Sequence, residues 1–181
     1  MALKATIYKF NLQVSDLNRQ YYQTHALTVA RHPSETDERM MIRVLAFALH
    51  AHEHLTFTRG LSSDDEPDLW QKDLTGTIES WIEIGQPDEK RVRKACGRSK
   101  QVFVYTYSGN SAAMWWKQVG EKLRETRNLT VIDISTEQSR QLAQLANKSL
   151  PLQATIQEHE VWFGNAEQTV HVALGLRHQP R

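Results

Sequence analysis

The chain has 181 residues, 22 Lys and Arg against 21 Asp and Glu for a formal net charge of +1, and 40% hydrophobic residues. That composition excludes a disordered chain, and the length suits one domain with a core of its own. The single cysteine, Cys96, excludes an internal disulfide and any Cys-based zinc or iron–sulfur cluster. The longest wholly apolar run, Val44 to Leu49, is far short of the roughly twenty residues that a membrane helix needs. The opening MALKATIYKFNLQ lacks the apolar stretch of a secretory signal, so the expectation is a soluble, cytoplasmic protein with no membrane partner. A balanced total charge does not exclude nucleic acid, because charge can be clustered.

In the first thirty residues Tyr8, Phe10, Leu12 and Val14 alternate with Lys9, Asn11 and Gln13, a strand pattern, and Tyr21 to Val29 reads as a second strand after a polar connection. Pro33 ends regular structure, and Ser34 is expected to open a helix, with Asp37 at capping-box spacing and Glu35 in the first turn. Met40 to Leu49 is apolar except for Arg43, so most of this helix should be buried, with Glu38 at the edge of its buried face and Glu35 paired to Arg39 four residues on.

A short strand at Leu55 to Thr58, an acidic loop (Asp64, Asp65, Glu66) and Pro67 come next, then strands at Asp68 to Lys72 and Thr77 to Ile84. In the latter, Ile78, Ser80, Ile82 and Ile84 share one face, and Thr77, Glu79, Trp81 and Glu83 the other. Asp88 to Ser99 reads as a helix with Val92, Ala95, Cys96 and Ser99 inward, and Gln101 to Ser108 as a strand covered on both faces. A helix at Ser111 to Thr126 with Trp115, Val119 and Leu123 inward, a strand at Leu129 to Ile134, a helix capped by Ser135 with Gln138, and alternating strands over Leu152 to Leu174 complete the chain. This order predicts a mixed α/β fold around one central sheet flanked by helices.

Three groups of residues could carry chemistry. Glu38, Asp68 and Glu83 come from a helix and two adjacent strands, and carboxylates that converge repel one another unless a hard divalent cation such as Mg²⁺ lies between them. Their structural reading is an ion pair with an Arg for Glu38, a strand start for Asp68 and a solvated side chain for Glu83. Lys90, Arg91, Arg93, Lys94, Arg98 and Lys100 form a run without acidic residues, suited to phosphate contacts or to the solvated face of a helix. His50 and His54 have the two-His spacing of some zinc sites, but Ala51 stands where the glutamate is expected, and histidine at a helix C-terminus suits the dipole. No glycine-rich phosphate loop or Gly-x-Ser-x-Gly elbow is present, Cys96 falls on a packing stripe, and the Trp115-Trp116 pair suits a core better than base stacking.

The strings ARHPSETDERMM (residues 30–41), DEPDLW (65–70), WIEIGQPDE (81–89), KAC (94–96) and LQATIQ (152–157), with the opening MALKATIYK, resemble the YaeQ family of bacterial proteins. The resemblance runs through nearly the whole chain. It implies a PD-(D/E)XK (restriction-endonuclease-like) core over residues 34–147 within a single domain of residues 1–181, with β additions at 1–32 and 150–176. It also implies that Asp68 and Glu83 hold Mg²⁺, with Glu38 from the first helix joining them. The superfamily pattern has a water-activating Lys two residues after the Glu, and here that position is Gly85. Gln86 is the residue left to position a water, and Lys94 or Lys72 the candidate to supply positive charge. The resulting expectation is a Mg²⁺-dependent phosphodiesterase acting on DNA or RNA, with Asp68 and Glu83 as metal ligands, the Ile84 carbonyl a third, and Lys90, Arg91, Lys94 and Arg98 meeting nucleic acid. The alternative is an inactive nuclease-fold binding or regulatory protein that uses the same basic helix for nucleic acid or an acidic partner. A third, structural reading is a partner subunit whose exposed strands pair with another chain. Oligomeric state stays open.

Overall fold

The computed structural model describes residues 4–59 and 64–180. In chain order the elements are β1 (Thr6–Asp16), β2 (Tyr21–Arg31), α1 (Asp37–Leu49), β3 (Leu55–Phe57), β4 (Leu69–Lys72), β5 (Ile78–Ile84), α2 (Glu89–Arg98), β6 (Ser99–Thr106), α3 (Asn110–Leu123), β7 (Leu129–Asp133), α4 (Thr136–Ala143), β8 (Ser149–Gln157), β9 (Glu160–Gly164), β10 (Thr169–Ala173) and β11 (Gly175–His178). The expected elements form at nearly the expected places. Their assembly differs: the strands form two mixed sheets rather than one, in the orders β10-β9-β8-β1-β2 and β11-β7-β6-β5-β4-β3. Local patterning cannot reveal this, because the decisive pairing is parallel and long-range, β8 alongside β1 from Lys9↔Ser149 to Asp16↔Ile156.

Two compact units follow. The first combines the chain up to Ala51 with Glu137–Leu174, and the second combines His52–Thr136 with the residues from Gly175 on. In the first unit β1 buries Tyr8, Phe10, Leu12 and Val14 and exposes Lys9, Asn11 and Gln13, the period of two that a one-faced strand requires. α1 covers that buried face, with Met40 to Ala48 all buried.

The helix starts later than Ser34. Thr36 is the N-cap, accepting from the Arg39 N–H at 3.1 Å, while the Ser34 hydroxyl lies 2.6 Å from His32 Nδ1. The shift has a physical cause. Glu35 turns inward and is nearly fully buried, with its Oε2 accepting from Arg39 Nη1 at 2.7 Å and Arg43 Nε at 2.9 Å, and Oε1 from Arg43 Nη2 at 2.5 Å. Arg43 Nη2 also donates to the Ala30 carbonyl at 3.0 Å, tying α1 to the end of β2. Likewise Gln138, expected in a cap, accepts from the Ala173 N–H at 3.1 Å.

In the second unit β5 and β6 run parallel in the middle of the sheet, β4 adds antiparallel to β5, and β3 antiparallel to β4. α2 and α3 supply Val92, Ala95, Trp115 and Leu123 to a core closed by Trp81 and Val104 from the strands. Trp115 faces inward as its periodicity predicts and spends its indole N–H on the Pro87 carbonyl at 2.7 Å, and Trp116 packs beside it. Among the described residues no helix is long and apolar enough to cross a membrane.

Removing one partner of a buried ion pair leaves an uncompensated charge, typically at a cost of about 3–5 kcal/mol. Glu35→Ala should therefore lower unfolding stability in urea by that amount, and Thr36→Ala by about 1 kcal/mol. Ser34→Ala should be almost neutral, and a loss at Ser34 as large as at Thr36 would contradict the N-cap assignment.

Candidate functional site

Asp68 closes the acidic loop and is the last residue before β4, where Pro67 keeps the backbone extended. Its N–H donates to the Ile82 carbonyl at 3.0 Å and its Oδ2 accepts from the Ile84 N–H at 2.8 Å, so its backbone and side chain bracket Glu83 at the end of β5. Both carboxylates are buried, at 2% and 6% exposure. β5 places Trp81 and Glu83 on one face, and the Trp81 indole N–H donates to Glu83 Oε1 at 2.9 Å. Two of the three carboxylates named from the sequence thus lie side by side. The third, Glu38, belongs to the first unit, where its Oε2 accepts from the Ser139 hydroxyl at 3.0 Å.

Asp88 caps α2 by accepting from the Arg91 N–H at 2.8 Å, which fixes Arg91 in the first turn of the helix. From there its side chain turns inward rather than toward solvent. Nε donates to Glu83 Oε1 at 2.8 Å, Nη1 to the Asp64 carbonyl at 2.8 Å and Nη2 to the Glu66 carbonyl at 2.7 Å. The sequence does not reveal this contact, because helical spacing does not say which cation of a basic run folds back. Burial first, and the Asp68 charge second, push the Glu83 carboxyl up to about 7, against the opposing pull of Arg91 and the Trp81 N–H.

Most of the rest of the basic run is drawn into local pairs. Lys94 is exposed and 3.1 Å from Asp65, Arg93 bridges to Glu89 at 2.5 Å, and Lys100 bridges to Glu79 at 2.9 Å. Arg98 is exposed, donates to the Asp65 carbonyl at 3.1 Å and lies 5.1 Å over the Trp81 ring. Lys90 is exposed, and Lys72 stacks on Trp70 at 3.8 Å instead of turning to Asp68. Gly85 has φ +111°, a conformation a Lys would adopt only under strain, and its N–H is held by the Tyr105 carbonyl at 2.8 Å. Gln86, just beyond, is exposed.

Among the described residues no three His, Cys, Asp or Glu side chains gather as a ready ligand set. A divalent cation at Asp68 and Glu83 would therefore rest on two carboxylates and its own water, a manner of binding common for Mg²⁺. The donor chemistry fits, since such a cation would offset both the burial and the Asp68 repulsion that raise Glu83. His50, His52 and His54 give no comparable site among the described residues: burial and the Arg19 charge hold His50 down at about 3, and the rings of His52 and His54 meet edge to face at 5.3 Å. Burial raises the half-buried Cys96 thiol to about 11, far from a nucleophile's range.

The family profile described as YaeQ protein matches residues 1–174. The chain belongs to the YaeQ family. It is 44% identical over 180 residues to the Salmonella typhi and Escherichia coli K12 proteins named "Uncharacterized protein YaeQ", covering 99% of each chain. The crystal structure of the YaeQ protein from Xanthomonas axonopodis pv. citri matches at a TM-score of 0.94 and 45% identity, covering 97% of this chain and 99% of that one. The YaeQ protein from Pseudomonas syringae matches at 0.92 and 33%, covering 97% of both chains. The two mixed sheets flanked by helices are therefore a YaeQ arrangement.

A carboxyl that holds its proton longer folded than unfolded destabilises the fold as it ionises. Glu83, raised from 4.5 to about 7, favours the folded state most below pH 4.5, and that advantage is lost as pH rises to about 7. Glu83→Gln cannot ionise, so between pH 4.5 and 8 its stability should fall less than the parent's, by on the order of 3 kcal/mol. Urea midpoints across that range check this. Parallel curves for the two proteins would place Glu83 at an ordinary pKa.

Proposed function

We propose that this YaeQ-family chain is a metal-dependent phosphodiesterase of the PD-(D/E)XK nuclease type, acting on nucleic acid. The observation that carries the reading is the buried Asp68–Glu83 pair at the ends of adjacent strands, with Glu83 held near 7 by burial and its neighbour's charge. The element order supports it: α1, the antiparallel strands β3, β4 and β5, then α2 and β6 parallel to β5, which is the helix, three strands, helix and strand implied by the resemblance.

In this reading Asp68 and Glu83 would hold Mg²⁺, with the Ile84 carbonyl as a neutral third oxygen, and the bound cation would supply a water of lowered pKa and positive charge to offset that growing on the phosphate. The chain's own residues do the positioning. The Gly85 backbone turns the chain out of β5, leaving the exposed Gln86 amide free to orient a water as donor or acceptor. The exposed Lys90, Lys94 and Arg98 on α2 offer charge to the phosphates of a bound strand, Lys94 in exchange for its solvent-screened pair with Asp65. No lysine takes the place that Gly85 leaves open, and losing one electrostatic catalytic group typically costs about 10²–10³ in rate. The expected enzyme is slow.

A second reading, a non-catalytic binding or regulatory domain, is favoured by one observation: Arg91 already supplies a positive charge to Glu83.

Incubation of single- and double-stranded DNA and RNA with the purified protein and Mg²⁺ or Mn²⁺ separates the two. The expected result is slow, metal-dependent cleavage that Glu83→Gln and Asp68→Asn each abolish. Cleavage indifferent to both substitutions, or none with any substrate, would overturn the enzymatic reading.

A further inference from the structure

Arg91 differs from every other cation of α2. Its side chain is only a quarter exposed, and all three guanidinium nitrogens are engaged, one by a buried carboxylate and two by backbone carbonyls of the acidic segment before β4. A Lys at this position could not reproduce the fork, because its three donors radiate from one atom. Asp68 stands beside Glu83, so the Arg91 guanidinium sits at the edge of a buried carboxylate pair. A guanidinium within hydrogen-bond distance of Glu83 Oε1 and a divalent cation on the same carboxylate repel each other in a buried setting, where Coulomb interactions are weakly screened. The remaining ties of Arg91, to the Asp64 and Glu66 carbonyls, are neutral-acceptor bonds. A phosphodiester oxyanion offers a guanidinium two charged acceptors in the planar geometry it prefers.

We propose that Arg91 is a latch on the carboxylate pair: its guanidinium and a divalent cation exclude each other at Glu83, and a phosphodiester anion that draws Arg91 away opens the pair to the cation. The inference rests on the reading of Asp68 and Glu83 as a cation seat, and it adds a partner for that seat and an order to its use. The anion and the cation then bind with positive coupling, and by linkage each strengthens the other by the same factor. Alone, the protein binds a divalent cation weakly; with a phosphodiester present it binds well. Arg91 is a positioning residue in this scheme, acting on the cation through the Glu83 carboxylate.

The test is Mn²⁺ binding, followed by electron paramagnetic resonance at low ionic strength, with dimethyl phosphate as the anionic probe. In the parent protein dimethyl phosphate should tighten Mn²⁺ binding about 5-fold or more, the lower end of typical couplings. Arg91→Met should bind Mn²⁺ about 10-fold more tightly than the parent without any anion, and dimethyl phosphate should no longer matter. Arg91→Lys, which keeps the charge but loses the fork, should fall between them. Mn²⁺ binding by Arg91→Met no tighter than the parent's, or equal effects of dimethyl phosphate on both, would overturn the latch. If Arg91→Met does not fold, the parent decides alone, and an Mn²⁺ affinity unmoved by dimethyl phosphate overturns it. Glu83→Gln separates the two levels of the argument. Mn²⁺ binding that survives this substitution removes the seat and the latch together, whereas binding that is lost with Glu83→Gln but blind to Arg91 removes the latch alone.

Discussion

Two carboxylates buried side by side cannot both ionise without a cation, and in the second unit the arrangement of α2, β5 and the segment before β4 centres on that constraint. Asp68 is pinned by the Ile82 carbonyl and the Ile84 N–H, so it cannot swing away from Glu83. Glu83 is pinned from the other side by the Trp81 indole, itself wedged in the core. Arg91 answers the charge and in doing so joins three pieces of chain: the first turn of α2, the end of β5, and the carbonyls of Asp64 and Glu66. The Asp88 cap is what delivers Arg91 to this point, so a local helix-capping rule sets the geometry of the site.

The first unit contains a different acid–arginine cluster. There one buried carboxylate, Glu35, is shared by two guanidinium groups, Arg39 and Arg43, and the cluster is saturated with donors. Such a cluster orients α1 against the end of β2 and has no appetite for a further cation. At Asp68 and Glu83 the Arg91 guanidinium pairs with Glu83, and burial first and the Asp68 charge second raise the Glu83 carboxyl. Both clusters are buried acid–arginine sites; in the reading proposed above the first is structural and the second a seat for a divalent cation.

Most single elements were legible in the sequence, because alternation in β1, the capped basic helix and the apolar stripe of α1 are local signals. Pairing was not: β8 finds β1 across the whole second unit, and no local pattern announces that two sheets rather than one result. The site was half legible. Asp68 and Glu83 stand out because a strand-opening Pro-Asp and an acidic residue beside Trp81 are visible as strings. The direction of Arg91 was not visible, since its neighbours Lys90 and Lys94 carry the same charge and only the tertiary fold decides which one turns inward. Ser34 was mistaken for the cap for a similar reason: the burial of Glu35 depends on Arg43, eight residues on, and moves the helix start to Thr36.

In the reading proposed above, one place where β4 begins and β5 ends is held in turn by a guanidinium and by a divalent cation. A crystal of the protein soaked in Mn²⁺ together with a phosphodiester tests it most directly, because Mn²⁺ scatters anomalously and Arg91 can be seen in the same map. The account predicts an anomalous peak between the Asp68 and Glu83 carboxylates, with the Arg91 side chain lifted off Glu83. A peak there with Arg91 still bonded to Glu83, or no peak with the carboxylates unchanged, would contradict it.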